Sequence, residues 1–110
     1  MKGMKMNRAG NTTTALEWGG PLDRETVPDI RKRALKLIRK KNTGDVTVDL
    51  SGVSAVDTAG LALLVEVFLD LCRRGRVLRL EGANEQVERM IRLADLDRLF
   101  QARCTSIYGK

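Results

Sequence analysis

Two alternating runs, one on either side of a long apolar stretch, constrain what this chain can fold into more than any other feature. From Asp45 to Leu50, Val46, Val48 and Leu50 point one way while Thr47 and Asp49 point the other. From Val77 to Glu81, Leu78 and Leu80 oppose Arg79 in the same manner. Alternation with period two marks a strand that puts one face in a core, and the other face need not be covered by helices. Between the runs, the stretch from Thr58 to about Arg74 has helix length and helix composition, and Gly75 ends it. A strand, a helix and a second strand in this order make a right-handed crossover with parallel strands. The fold class is therefore α/β.

The middle helix is apolar on nearly every side. Placed on a helical wheel, Leu61, Leu64, Val65, Phe68, Leu71 and Cys72 gather on the face that covers the sheet, and Glu66, Asp70, Arg73 and Arg74 gather opposite. Ala59, Ala62 and Leu63 interrupt that polar side at its start. An apolar patch next to Thr58, bordered by Glu66, is the expected result, and small residues there let another backbone come close. Asp57 and Thr58 stand at the helix start, where a carboxylate or hydroxyl caps the free N–H groups. A phosphate on Thr58 would be tolerated by the helix dipole and would change the surface by almost two charges.

The rest of the chain supplies the flanks. Residues 1–13 read as an N-terminal arm or the first strand of a hairpin with its tip near Gly10 and Asn11, and residues 14–110 as the domain proper. Thr14 to Trp18 is a short strand that Gly19-Gly20-Pro21 ends. Pro28 suits the first turn of a helix on which Ile30, Ala34, Leu37 and Ile38 form one stripe, with Asn42-Thr43-Gly44 as its stop. Seven cations, Arg31, Lys32, Arg33, Lys36, Arg39, Lys40 and Lys41, surround that stripe. Asn84 is the expected cap of a further helix carrying Val87, Met90, Ile91 and Ala94 inward. Leu96, Leu99 and Phe100 close the core, with a last short strand expected near Leu99 to Cys104.

Composition removes whole classes of function. The chain has no histidine, and so lacks the usual general base near neutral pH and the commonest zinc ligand. Its two cysteines, Cys72 and Cys104, form neither a metal quartet nor a CxxC pair, which points to a reducing compartment. No metal, cofactor or catalytic residue is expected, and the chain does not read as an enzyme. Four aromatic residues in total leave little for base stacking. With no run of about 18 apolar residues and no signal-peptide core, the expected location is cytoplasmic. The formal charge of +6 alone selects no partner.

The residues from Val48 to Leu61, Val-Asp-Leu-Ser-Gly-Val-Ser-Ala-Val-Asp-Thr-Ala-Gly-Leu, resemble the signature of the STAS domain. Gly20-Pro21-Leu22-Asp23 upstream and Leu80-Glu81-Gly82-Ala83-Asn84 downstream are similar to that family's flanking segments, with Pro21 in place of a glutamate. The resemblance implies a mixed β-sheet with helices packed on one face. Its spelling from Val56 to Leu64 is closest to MlaB, the accessory subunit of the MlaFEDB-type ABC transporter that keeps outer-membrane lipids asymmetric.

Three functions follow in order of preference. The first is a binding subunit that docks on an MlaF-like ABC-transporter ATPase in phospholipid trafficking, peripheral to the inner membrane through the transporter complex. Asp57, Thr58, Ala59, Ala62 and Leu63 would form its contact, with Glu66 and Asp70 meeting basic residues at the rim. The second is an anti-sigma factor antagonist, switched when a Ser/Thr kinase anti-sigma factor phosphorylates Thr58. The third is a nucleic-acid or membrane-surface protein acting through the basic first helix, although a solvated face is the commoner fate of such cations and no nucleic-acid partner is expected.

Overall fold

A computed structural model describes residues 4–9, 13–40 and 44–101 of the chain. Its elements are β1 (Met4–Ala9), β2 (Thr13–Leu22), α1 (Val27–Lys40), β3 (Val46–Val56), α2 (Thr58–Arg73), β4 (Leu78–Glu81), α3 (Glu85–Leu93) and α4 (Leu96–Gln101). The sheet has the order β1-β2-β3-β4. β1 runs antiparallel to β2, and β2, β3 and β4 are parallel to one another. The expected hairpin tip at Gly10 and Asn11 lies outside the described residues.

Register explains which face is buried. Leu16, Val48 and Leu80 stand side by side across three strands, as do Thr14, Val46 and Leu78. These rows point into one core with Ile30, Ala34 and Ile38 of α1, Leu61, Leu64, Val67, Phe68 and Leu71 of α2, and Val87 and Ile91 of α3. The opposite face carries Glu17, Thr47 and Asp49, half-buried, and the exposed Arg79 and Glu81. The helices therefore pack on one face of a mixed sheet, as expected. Burial of the aliphatic side chains, at about 25 cal/mol per Å² of apolar surface, is the main force holding the two layers.

Three boundaries depart from the sequence reading. β2 does not stop at Gly19-Gly20-Pro21 but continues to Leu22, and β3 does not stop at Leu50 but continues to Val56. Both extensions depend on bulges. Glu17 pairs with Asp49 and Gly19 with Gly52, so β3 gains one residue there; Gly20 pairs with Val53 and Pro21 with Ala55, so it gains another. The surplus residues break the alternation at Ser51-Gly52, and for that reason the strand looks finished when read from periodicity. Gly52 permits the close approach: a Cβ there would stand 3.0 Å from the carbonyl O of Trp18.

The third departure is at the end of the chain, where Leu96–Gln101 is a helix and not the start of a strand. Asp95 adopts a left-handed conformation with φ of 60° and separates α3 from α4. Leu96, Leu99 and Phe100 then reach the core from one helical face, the spacing i, i+3, i+4 that a strand would have split. Phe100 meets Phe68 edge to face at 5.5 Å between ring centroids. Residues 102–104 of the expected strand lie outside the described residues. Leu35 joins the buried face of α1, which periodicity had given to Leu37; Leu37 is half-buried. Cys72 is buried and disulfide-bonded, against the thiol state that a reducing compartment implies.

Candidate functional site

The start of α2 is assembled from the ends of two strands. Asp57 is its N-cap, and its Oδ1 accepts a hydrogen bond from the Gly60 N–H at 3.1 Å. The Asp57 N–H in turn donates to the carbonyl of Leu22, the last residue of β2, at 3.2 Å. Gly60 is buried against the same carbonyl and against Cγ2 of Val56, and a Cβ would collide with both. The helix is thus driven hard onto the sheet at its third residue. That contact fixes the direction in which the preceding hydroxyl points: Thr58 is exposed, Ala59 half-buried and Ala62, one turn on, exposed.

The structure places the other expected contact residues elsewhere. Leu63 is only 1% exposed and belongs to the core, so it cannot touch a partner. The wheel set it beside Ala62, but the core wraps far enough around α2 to cover it, as it also covers Val67. Asp70 is 3% exposed, with Oδ1 accepting from Nη2 of Arg73 at 2.8 Å and Oδ2 from Nε of Arg74 at 3.2 Å. It ties down the last turn of α2 and is not a rim charge. Glu66 lies on the line of Thr58 and Ala62, but both of its oxygens accept from Nε of Arg31 in α1, each at 2.8 Å. Arg31 holds the Glu66 carboxyl below the usual carboxylate range, chiefly through that hydrogen bond, and burial opposes the shift. Arg31 was not foreseen as part of this region, because a contact 35 positions away leaves no trace in local spacing.

A second residue escaped the sequence reading. Arg76, 4% exposed, donates from Nε to the carbonyl of Gly44 at 2.6 Å and from Nη1 to that of Ile38 at 2.8 Å. It closes the end of α1 onto the approach to β3. Burial, followed by the nearby Arg74, pulls its pKa below the ordinary arginine value. Its position just before an alternating strand gives no signal of this role.

What the site offers chemically is an exposed hydroxyl, a methyl surface and the positive end of a helix dipole. Among the described residues no group of three or more Cys, Asp or Glu could hold a metal ion, and none of their helices is long and apolar enough to cross a membrane.

Residues 6–101 match the family described as "Mlab, STAS domain", and the chain belongs to the STAS family. It is 35% identical over 78 residues to an anti-sigma-B factor antagonist of Staphylococcus epidermidis, spanning 71% of each chain. Its fold is similar to that of an anti-sigma factor antagonist from Mycobacterium paratuberculosis, with a TM-score of 0.76 at 19% identity over 91% of this chain and 83% of that one. It is also similar to the phosphorylated form of the Bacillus cell fate determinant SpoIIAA, with a TM-score of 0.67 at 17% identity over 86% of each chain.

Proposed function

We propose that this chain is a non-enzymatic docking subunit that presents the start of α2 to the ATPase of an MlaFEDB-type ABC transporter, stabilising or regulating it in phospholipid traffic. One observation carries the reading: Thr58 and Ala62 are exposed together, and the fold does not need the Thr58 hydroxyl because Asp57 already caps the helix. A hydroxyl beside methyl groups, free of structural duty, suits the centre of a protein interface, where apolar contacts hold and one hydrogen bond orients. The match to an MlaB-type STAS family supports the choice of partner class. Glu66 and Asp70 take no part in the contact, since their own arginines occupy them.

The test is co-expression with the transporter ATPase encoded in the same genome. Wild type is expected to co-purify with it, and Thr58→Glu and Ala62→Asp to lose it while keeping native circular dichroism. Leu63→Asp is unsuitable, because a buried carboxylate would unfold the domain. Retained binding in both exposed variants overturns the reading.

A second reading is an anti-sigma factor antagonist whose complex is released when a Ser/Thr kinase partner phosphorylates Thr58. The named relative and the phosphorylated structural neighbour favour it. Here, incubation with the cognate kinase and ATP adds one phosphoryl group by intact mass, and Thr58→Ala adds none. An unchanged mass for the wild type removes this alternative.

A further inference from the structure

We infer that the outer face of α1 is a docking surface for an anionic lipid bilayer. Six cations on this helix are exposed: Arg31, Lys32, Arg33, Lys36, Arg39 and Lys40. Two are engaged within the molecule, Arg31 by Glu66 and Arg33 by Asp29 at 3.3 Å. Among the described residues Lys32, Lys36, Arg39 and Lys40 make no ion pair. At about 100° per residue these four fall within an arc of roughly 100° and extend for about 12 Å along the helix. They form one row of positive charge, beside a shallow cleft lined by Arg31, Lys32, Leu35, Lys36 and Arg39.

The composition of the face selects among anionic partners. Ile30, Ala34, Leu35 and Ile38 are all buried, Leu35 showing only its edge in the cleft, so the face offers little apolar surface for the desolvated centre that a protein interface needs. The segment Val-Pro-Asp-Ile-Arg-Lys-Arg-Ala-Leu-Lys-Leu-Ile-Arg-Lys contains no aromatic residue to stack on a base, and apart from its arginines and lysines it has no group that reads a base edge in the major groove. A bilayer surface requires neither: charge on a flat face suffices, and lysine stems lie readily along headgroups. This inference is independent of the docking reading above, since vesicle binding needs no protein partner.

Co-sedimentation of the full chain with vesicles tests it. Binding is expected to equimolar phosphatidylglycerol and phosphatidylcholine at low salt and not to phosphatidylcholine alone, and it should vanish near 0.5 M NaCl, where charge is screened within a few Å. The variant Lys32→Gln/Lys36→Gln/Arg39→Gln/Lys40→Gln should partition on the order of a thousandfold less. Lys32→Gln/Lys36→Gln, which spares the last helical turn, should partition about thirtyfold less. Arg79→Gln, on the open sheet face, should bind as wild type does. Absent binding at low salt, equal binding to phosphatidylcholine, undiminished binding by both α1 variants, or tighter binding to duplex DNA than to the vesicles would each overturn the inference.

Discussion

Gly60 shows how one missing side chain sets the geometry of the whole site. With the Leu22 carbonyl and Val56 pressed against its Cα, Gly60→Ala must push α2 off the sheet. Overpacking of this kind costs about 1–3 kcal/mol, read as a lower urea midpoint with an unchanged slope. The two residues that begin the helix divide their labour, and substitution should separate them. Asp57→Ala removes the acceptor of the Gly60 N–H and should cost about 1 kcal/mol. Thr58→Ala, at an exposed position outside the cap, should change stability by no more than about 0.5 kcal/mol while altering partner binding. Equal losses for Asp57→Ala and Thr58→Ala in urea unfolding would show that the hydroxyl serves the fold after all. The helix start at Asp57 and Thr58 could be read directly from sequence because capping is local, whereas the approach of Gly60 to the Leu22 carbonyl joins residues tens of positions apart. The burial of Leu63 could not, since it depends on how far the core wraps around the helix.

At the scale of elements, α1 and α2 are joined across their outer edges by Arg31 and Glu66. The Glu66 carboxyl is held below its ordinary value in the folded chain, so folding favours its ionised form. The contribution is complete above the unfolded value of about 4.3 and is lost as pH falls through the depressed folded value. Urea unfolding of wild type and Glu66→Gln should therefore give a stability difference that is constant near neutrality and disappears below the carboxylate range. The side chains are 49% and 40% exposed, so solvent screening keeps that difference small. A difference that persisted in strong acid would point to packing and not to charge. The strand lengths argue the same lesson from the opposite side. Periodicity located the cores of β2 and β3 but not their bulged ends, because an inserted residue reverses the alternation without ending the hydrogen bonding.

Across the described residues, one sheet face and four helices share a single core, and Trp18, the chain's lone tryptophan, sits in it at 2% exposure. Trp18 fluorescence and far-ultraviolet circular dichroism should report coincident urea transitions, as expected of one cooperative unit. Separate midpoints would divide the layers. Positive charge concentrates on the α1 face, while Asp45, Asp49, Glu17 and Glu81 lie at or near the open side of the sheet. The described residues therefore present the basic helix, the Thr58 and Ala62 patch, and a polar sheet face as separate surfaces.

By itself the sequence determined the strand-helix-strand core, the cap at Asn84 and the placing of Asp57 and Thr58 at a helix start, because each depends on residues within about one helical turn or one pleat of each other. Tertiary structure alone decided that Leu63 and Asp70 are inside, that Arg31 occupies Glu66, and that Arg76 closes α1 onto the approach to β3. Those outcomes depend on contacts between residues tens of positions apart, and neither spacing nor composition encodes which distant side chain arrives first.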